Sequence, residues 1–304
     1  MVIEDTLERQ ISRARFLVIH NPNAGRAARK LYHATLDELQ KLGAHLKVVE
    51  TTRHGDGVAA AAQAAISGRF DAVLAAGGDG TIHDVAEGLV GHTTPLGIIP
   101  TGTANVFARE IGVPRTPVEL AHLLVDGHVS SIPVGQANGR PFLFVVGVGF
   151  DAEAVRLFET EGSREWGQAG FVWPVLRALV AHRDQPLRVT TERGESEAHW
   201  IIVTRVKRFA ASLLLTPEAD LLQPRIYILR FRGPGALQRL HQLAALTLGL
   251  VRYDPTIDIE TATWVRIEGD RAIPAHIDGE LLGELPLEIG LHPKQLNVIV
   301  ATAP

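Results

Sequence analysis

The chain has 304 residues, of which 46% are hydrophobic, and a formal net charge of −4 at pH 7. This length predicts two domains, and the negative balance argues against bulk nucleic-acid binding, which needs a basic surface. Because the sequence contains no cysteine, disulfides, thiolate catalysis and cysteine-ligated zinc are excluded.

The first half of the sequence predicts strands that alternate with helices. Short apolar runs indicate buried strands, and longer segments bounded by glycines or turn residues indicate helices. The predicted strands are residues 16–19, 46–52, 71–76 and 95–99, and the predicted helices are 26–42, 56–67, 82–90 and 104–111. Alternation at this spacing predicts a parallel sheet covered by helices on both faces.

A small, polar turn follows each predicted strand. The third strand leads into Gly77-Gly78-Asp79-Gly80-Thr81 and then a helix, an order that places backbone N–H groups around an anionic phosphate. The other three turns contain Asn21 with Gly25, Thr51 with Gly55-Asp56, and Gly102-Thr103 with Asn105. Each turn alone is typical of an ordinary loop or helix cap. Since ligands bind beyond the C-terminal ends of parallel strands, the four together predict a nucleotide site.

The motifs exclude two common kinds of nucleotide site. The sequence has no Gly-Lys-Ser/Thr, so a P-loop lysine does not reach the phosphates. No Gly-x-Gly-x-x-Gly follows the first predicted strand, which argues against a standard dinucleotide fold. Phosphates are therefore expected to be held by backbone amides, hydroxyl groups and helix N-termini.

From Val129 onward, short apolar stretches separated by turns predict antiparallel β structure. The stretches are residues 131–134, 142–146, 187–190 and 200–203, with the hairpin signal Asn138-Gly139 between the first two. Two helical stretches, 173–182 and 236–251, interrupt them and are rich in Leu, Ala and Val; Trp166, Phe171 and Trp173 lead into the first. Periodicity favours helices that pack into a core, and a partly exposed apolar surface for a lipid interface is the alternative.

Near the C-terminus, Asp278-Gly279-Glu280 places two carboxylates at positions i and i+2 around a glycine. As a bare motif, Asp-Gly is most often a hairpin turn. Two such carboxylates can also lie beside an approaching substrate, where one of them takes or orients a hydroxyl proton.

Taken together, these residues resemble the diacylglycerol kinase catalytic-domain family, which also includes the sphingosine kinases and bacterial lipid kinases. The matching segments are Asn21-Pro-Asn-Ala-Gly25, Thr51 with Gly55-Asp56, Gly77 to Val85, Gly102-Thr-Ala-Asn105, Gly147-Val-Gly-Phe-Asp151 and Asp278-Gly-Glu280. The likeness extends from about Phe16 to about Val300. Gly-Gly-Asp-Gly-Thr is shared with NAD kinases, whereas the full ordered set is specific.

The resemblance implies an α/β nucleotide-binding domain, placed at residues 1–128, and a β-sandwich lipid domain at 129–304, whose C-terminal tail is expected to return to the first domain. The active site would lie in the cleft between them. The implied ATP contacts are Asn21, Thr51, Gly77, Gly78, Asp79, Gly80, Thr81, Ile82, His83 and Thr103. Asp79 would help to organise the phosphate and Mg²⁺ end, and Asp84 stands where the family usually has glutamate. Asp278 or Glu280 would accept the proton, and the sequence does not decide between them.

The chain departs from this family at one metal loop. The family usually carries an Asp-Asp-Gly-x-Leu-Asp stretch that binds a structural Mg²⁺. With Pro217 aligned, the corresponding positions here are Leu222, Gln223, Pro224 and Tyr227. Leucine offers no oxygen ligand, and one glutamine does not replace carboxylates at a hard-cation site. We therefore predict that this accessory Mg²⁺ site is absent.

A short basic run, Arg205, Lys207 and Arg208, lies just before that loop. A solvated face is the favoured interpretation of such a run, and a contact for acidic lipid headgroups is the alternative.

The leading hypothesis is an ATP-dependent lipid kinase that acts on the hydroxyl of diacylglycerol or a similar lipid, with ATP and its Mg²⁺ as cofactors. One alternative is an NAD kinase, which usually has Asn-Glu downstream of the glycine motif, whereas here Asn105 precedes Val106. The other is a nucleotide- or lipid-binding homologue that has lost catalysis. Retention of both Asp278 and Glu280 argues against that loss.

The sequence also bears on location. The N-terminus carries acidic residues and has no apolar core, unlike a secretory signal. The longest uncharged apolar run, Phe142 to Phe150, is far below the roughly 18 residues of a membrane span. We expect a cytoplasmic protein whose membrane contact is peripheral, at the inner face. The oligomeric state is not determined by the sequence; a homodimer is one expectation.

Overall fold

A computed structural model of the chain describes residues 12–22, 26–53, 55–160, 172–182, 184–209, 213–270 and 272–301. Five residues named above, Asn23, Ala24, Gly25, Trp166 and Phe171, lie outside the described residues.

The first part of the chain alternates between strands and helices, as predicted. The strands are β1 (Arg15–His20), β2 (His45–Glu50), β3 (Ala72–Gly77) and β4 (Leu96–Pro100). The helices are α1 (Arg26–Lys41), α2 (Asp56–Ser67), α3 (Asp79–Leu89), α4 (Val106–Glu110) and α5 (Pro117–Asp126). The strands pair in parallel in the order β2-β1-β3-β4.

Helix α5 is absent from the sequence-based prediction. Thr116 caps it, since its hydroxyl accepts a hydrogen bond from the Glu119 N–H, and Pro117 occupies the first helical position. Thr-Pro-x-Glu is a recognised helix-start signal, so the sequence contained the information.

Helices cover both faces of this sheet because side chains alternate along each strand. Leu17 and Ile19 of β1 belong to the core cluster that contains α2 and α3. Phe16 and Val18 belong to the cluster on the other face, which contains α1 and α5. The result is a three-layer arrangement.

The second part of the chain is mainly antiparallel. Its strands are β5 (His128–Ala137), β6 (Arg140–Phe142), β7 (Val145–Val148), β8 (Leu187–Thr191), β9 (Gly194–Ala198), β10 (Trp200–Thr204), β11 (Arg208–Phe209), β12 (Leu213–Leu214), β13 (Ile226–Phe231), β14 (Ile257–Ala262), β15 (Trp264–Glu268), β16 (Ala275–Ile277), β17 (Glu280–Gly283) and β18 (Leu287–Val300). Its helices are α6 (Phe150–Thr160), α7 (Val172–Ala181) and α8 (Ala236–Leu248), followed by a 3₁₀ turn at Val251–Tyr253.

Two sheets of this second part face each other across a shared apolar core. One has the order β14-β13-β10-β7-β16-β17. The other includes β18-β15-β8-β9 and, beside β18, β5. Val203 and Ile228 of the first sheet share a buried cluster with Val189 and Val265 of the second. The predicted fold class, an α/β domain plus a β-sandwich, is confirmed.

The last strand links the two parts, because Val298 of β18 pairs in parallel with Leu96 of β4. The sheet of the first part thus continues into the sandwich, so the two parts share one hydrogen-bonded sheet.

Two local features of the second part differ in how well the sequence indicated them. The Asn138-Gly139 hairpin is confirmed: both residues have positive φ, 49° and 83°, between β5 and β6. Helix α6 is not predicted. Its signal is weak, consisting of Asp151 and Glu153 in the first turn, where acidic side chains favour a helix start.

None of the described helices is both long enough and apolar enough to cross a bilayer.

Candidate active site

The turn between β3 and α3 has no room for a side chain at Gly77, and the turn after β4 has none at Gly102. A Cβ atom on Gly77 would overlap the Thr81 hydroxyl, and one on Gly102 would overlap the Cα of Gly78. A Cβ on Gly80 would have nothing within 4 Å, so this part of the turn is open. Gly78 occupies the N-cap position of α3 and makes no side-chain hydrogen bond to the first backbone N–H groups. A helix start without a side-chain cap, beside open space, suits an anion.

Two further turns meet the glycine turn at the same edge of the sheet. The Asn21 N–H donates to the Ala76 carbonyl (3.0 Å), and the Asn21 side-chain amide donates to the Thr81 hydroxyl (3.5 Å). The Thr51 N–H donates to the His20 carbonyl (2.9 Å). The turns after β1, β2 and β3 are therefore in contact, as the parallel arrangement predicts.

The turn after β4 completes this edge. Asn105 has φ of 48°, and its side chain makes two hydrogen bonds to the backbone of Gly102. Its Oδ1 accepts the Gly102 N–H (3.0 Å), and its Nδ2 donates to the Gly102 carbonyl (2.7 Å). Thr103 is exposed between them. Its hydroxyl is available to a ligand at this edge.

Three side chains early in α3 point away from the open turn. Ile82 is fully buried in the core. His83 is also buried and contacts the second part of the chain. Asp84 accepts the Gly55 N–H (3.1 Å), so its carboxylate holds the start of α2.

Asp278 and Gly279, with φ of 49° and 94°, form a two-residue turn between β16 and β17. The hairpin interpretation of this motif is therefore correct. The Asp278 carboxylate also accepts three consecutive backbone N–H groups, those of residues 143–145, at 2.7, 2.9 and 2.8 Å. Its Oδ2 lies 2.8 Å from Nδ1 of His83. The turn thus ties the sandwich to α3, and both oxygens of Asp278 are occupied.

His83 is a buried cation at neutral pH. Burial lowers its pKa, but the hydrogen bonds that the ring donates to Asp278 and Glu87, together with the charges of Asp278 and Glu280, outweigh that effect and raise the pKa to about 10. Its second ring nitrogen lies 3.4 Å from a Glu87 oxygen. The His83–Asp278 pair is therefore an ion pair with both side chains almost fully buried.

Glu280 is partly exposed at the next position of the turn. Its carboxylate accepts a hydrogen bond from Arg140 (2.8 Å), and Arg140 also lies 3.8 Å from Glu87. Sequence reasoning missed Arg140, which has no motif around it.

Asp79 is the acidic residue of the glycine turn itself. Burial raises its pKa to about 6, and the nearby charge of Asp278 adds to the effect, against backbone hydrogen bonds that lower it. The strongest of those partners, the Phe107 N–H, lies 3.4 Å from its Oδ1. Asp79 is thus a carboxylate that gains or loses its proton just below neutral pH.

A buried Asp151–His276 pair is a further contact that sequence reasoning missed. His276 is fully buried, and its Nε2 lies 2.7 Å from Asp151. The Gly279 N–H donates to its Nδ1 (3.3 Å), so Nε2 carries the proton toward Asp151. A Cβ on Gly147 would overlap this ring, which explains the glycine. Only folding brings the motif at Gly147–Asp151 against the turn at Asp278.

The segment aligned with the metal loop does not fit a Mg²⁺ ion. Leu222 and Pro224 have no oxygen in their side chains, and the Tyr227 hydroxyl donates to the Glu218 carbonyl (2.6 Å). Nowhere in the described ranges do three His, Asp or Glu side chains gather closely enough to hold a metal by themselves. A metal held at the aligned positions 222–227 would lack the carboxylates that such ions prefer.

A buried arginine lies at this loop instead. Arg205 is 1% exposed, so the predicted solvated face is wrong at this position. Its guanidinium donates to the carbonyls of Leu221 (2.6 Å) and Arg225 (3.3 Å). Burial lowers its pKa to about 10, which still leaves it charged at neutral pH. The loop is closed by a side-chain cation that bonds main-chain oxygens.

Replacing Arg205 by methionine is expected to lower the free energy of unfolding by about 2–4 kcal/mol, because two buried carbonyls lose their donors. Urea denaturation measures this loss. Arg225→Met, an exposed change in the same loop, is the matched control and should have little effect.

Wild-type stability without nucleotide should also be unaffected by MgCl₂. A clear stabilisation by Mg²⁺ would contradict the predicted absence of the accessory Mg²⁺ site.

Comparisons with known proteins agree with this geometry. Residues 15–137 match the diacylglycerol kinase catalytic domain, and residues 144–300 match the YegS C-terminal NAD kinase beta sandwich-like domain. A diacylglycerol kinase of Bacillus subtilis (strain 168) is 28% identical over 290 residues, covering 93% of this chain and 95% of that protein. A diacylglycerol kinase of Staphylococcus haemolyticus (strain JCSC1435) is 25% identical over 282 residues, covering 88% and 83%.

The fold itself is shared with a solved structure. A crystal structure of a diacylglycerol kinase from Bacillus anthracis strain Sterne superposes with a TM-score of 0.71 at 21% identity, covering 96% of this chain and 97% of that one. The similarity of fold therefore extends over both parts of the chain.

Proposed function

Because the chain belongs to the diacylglycerol kinase catalytic-domain family, we propose that it is an ATP-dependent lipid kinase. In this proposal it transfers the γ-phosphoryl group of ATP to the hydroxyl of diacylglycerol or a similar lipid. The observation that carries the proposal is the 2.8 Å contact between His83 and Asp278. Through it, the open glycine turn at the start of α3 and the acidic turn of the sandwich face the same cleft.

The three carboxylates at this cleft suggest a division of roles. Asp278 has both oxygens occupied by backbone N–H groups and His83, so we assign it a positioning role. Asp79, whose pKa lies near 6, is suited to accept the substrate hydroxyl proton near neutral pH. This differs from the sequence-based expectation, in which Asp278 or Glu280 accepts the proton and Asp79 serves the phosphate end.

Mg²⁺ fits this site when it arrives with the nucleotide. The ion usually takes one or two protein carboxylates together with phosphate oxygens, so a cluster of three acidic residues is not required. Glu280, which is partly exposed beside Arg140, is the residue that would hold it. Bound there, the ion would neutralise charge on the phosphates.

Acceptor assays test the proposal and its alternatives. The wild-type chain and Glu280→Gln are each supplied with Mg-ATP and one acceptor: diacylglycerol micelles, sphingosine or NAD. Phosphorylated lipid that falls strongly in the variant is the expected result. Phosphorylated NAD would indicate an NAD kinase, and ATP binding without turnover of any acceptor would indicate a binding protein. Either result overturns the proposal.

A kinase of this kind must reach a lipid in a membrane, and we propose that α7 and α8 provide the contact. Helix α8 turns leucines outward, with Leu237 84% and Leu248 70% exposed, while Arg239 and Gln242 are buried. This is the reverse of an ordinary surface helix. The expectation that these helices only pack into a core is therefore incomplete.

Helix α7 extends the same kind of surface. Arg239 of α8 donates to the Leu179 carbonyl of α7 (2.6 Å), so the helices are adjacent. Trp173 and Val180 are exposed on α7, and neither helix contains an acidic residue. Exposed leucine, valine and tryptophan on helices that carry no acidic side chain of their own suit the interface of an anionic bilayer.

The variant Leu237→Glu/Leu248→Glu is expected to bind anionic vesicles roughly 10- to 100-fold more weakly, because two exposed apolar contacts are lost and two negative charges are added. Vesicle co-sedimentation measures the binding. Activity toward a short-chain lipid in detergent should be retained. Glu119→Gln on α5, far along the chain, is the control. Unchanged vesicle binding would contradict the proposal, and a dimer that becomes a monomer would identify the surface as a self-association interface.

A further inference from the structure

A cavity lies between α4 and the sandwich. It measures about 340 Å³ and is lined by Val106, Arg109 and Glu110 of α4 and by Lys207 and Arg208 of the sandwich. Its walls therefore come from both parts of the chain.

The cavity is connected to the candidate active site by α4. The Phe107 N–H, next to Val106 in the chain, donates to Asp79 (3.4 Å). The wall of the cavity at Val106 is thus one residue along the helix from the hydrogen-bond partner of Asp79.

Its charge is unusual for this protein. Three cationic side chains and one carboxylate line it, although the whole chain has a net charge of −4. Burial raises the pKa of the Glu110 carboxyl, although the nearby charges of Lys207 and Arg208 lower it. The backbone N–H of Lys207 also donates to Glu110 (3.4 Å), which joins the two walls.

The sandwich wall is held rigidly. Arg205, two residues before Lys207, is anchored by its guanidinium to the loop carbonyls described above. Its N–H donates to the Phe144 carbonyl (2.9 Å), and the Leu215 N–H donates to the Lys207 carbonyl (2.9 Å). The exposed side chains of Lys207 and Arg208 therefore project from a fixed backbone.

The glycine turn has no lysine or arginine of its own, so it supplies backbone N–H groups but no full positive charge. Phosphate groups are bound most strongly where guanidinium or ammonium groups form charge-assisted hydrogen bonds. The cavity supplies such groups at the side of Asp79.

We propose that Arg109, Lys207 and Arg208 form a binding site for a phosphate group at the cleft. The ligand chemistry is a multiply charged phosphate, which is either the phosphate chain of Mg-ATP or the headgroup of a phosphorylated lipid. The identification of these two sources rests on the proposed kinase function, whereas the binding of a phosphate group itself does not.

The test compares the wild type with Lys207→Gln/Arg208→Gln by calorimetric titration with three probes. The probes are inorganic tripolyphosphate, Mg-ATP, and phosphatidic acid in mixed micelles. Binding of tripolyphosphate is expected to weaken about tenfold for each cation removed. If the variant also binds Mg-ATP more weakly, the phosphate chain of the nucleotide is the ligand. If it instead binds phosphatidic acid more weakly, the lipid headgroup is the ligand. Arg69→Gln, an exposed arginine before β3 at the opposite end of that strand, is the control and should change none of them.

Two outcomes separate this site from the kinase proposal. If all three affinities are the same in the variant and the wild type, or if the wild type does not bind tripolyphosphate, the phosphate site is overturned. If the wild type binds no Mg-ATP but its tripolyphosphate affinity depends on Lys207 and Arg208, the phosphate site stands and the kinase proposal fails. Thermal denaturation confirms that the variant, altered only at exposed side chains, remains folded.

Discussion

Replacing Asp79 by asparagine is expected to slow phosphoryl transfer by about 10²- to 10⁴-fold, the usual contribution of a positioned proton acceptor. The same change should make the protein more stable at pH 7. Burial holds the pKa of Asp79 at about 6, so its ionised form is less favourable in the folded chain than in the unfolded one. Asparagine removes that charge, which is expected to add roughly 1–2 kcal/mol after allowance for partial exposure.

The pH dependence of this effect has a definite sign. In the unfolded chain an aspartate ionises near pH 4, whereas folded Asp79 ionises near pH 6. Between about pH 4 and pH 6 the folded state therefore holds more protons, and the contribution of Asp79 to stability falls as the pH rises. The wild-type rate should rise over the upper part of the same range, with half of the maximum near pH 6.

Steady-state assays with saturating lipid and urea denaturation at pH 5 and pH 7.5 measure the two effects. Glu280→Gln is the companion variant, because it removes a carboxylate from the same cleft. A fully active Asp79→Asn variant, with proton transfer lost in Glu280→Gln instead, would return the acceptor role to the Asp278-Gly-Glu280 turn.

Replacing Asp278 by asparagine is expected to destabilise the fold by about 3–5 kcal/mol, the usual result of removing one partner of a buried ion pair. His83 would lose its charged partner (2.8 Å). The backbone N–H groups of residues 143–145 would compete for a single amide oxygen. Activity should fall as well, because this carboxylate joins the sandwich to α3.

The pH dependence of stability distinguishes this ion pair from a generic loss of packing. The pKa of His83 rises from an unfolded value near 6.5 to about 10 in the folded chain. Its contribution is therefore fully present below about pH 6.5 and is lost as the pH rises toward 10. Urea denaturation of the wild type should show this decline between pH 7 and pH 9.5, and Asp278→Asn should lack it. Asp37→Asn, an exposed change on α1, should match the wild type.

Much of the first part of the fold could be predicted because its signals are local. An apolar run bounded by glycines specifies a buried strand through burial and backbone freedom alone, and helix α2 has the predicted bounds, Asp56–Ser67. The glycine turn is similar, since only glycine avoids the clash that a Cβ on Gly77 would make with Thr81. Helix α5 was missed although Thr116 and Pro117 form a helix-start signal, and α6 was missed because its signal, two acidic residues in the first turn, is weak.

The contacts that define the site could not be predicted in the same way. His83 and Asp278 are 195 positions apart, and no local pattern states which buried histidine will meet which turn. Arg205 shows the same limit: in sequence it belongs to an exposed basic run, but it is buried at the end of β10, where carbonyls of a later loop surround it. Whether a charge is solvated depends on neighbours that are distant along the chain.

The sequence by itself therefore determined the family, the alternating α/β half and the open glycine turn. These depend on residue type and near neighbours, through side-chain volume, φ preference and hydrophobic period. The tertiary structure alone decided which carboxylates are occupied, which histidine is charged and where the cations face the cleft. These depend on desolvation and on pairing between distant segments, which give Asp79 its raised pKa and leave Asp278 with both oxygens bound.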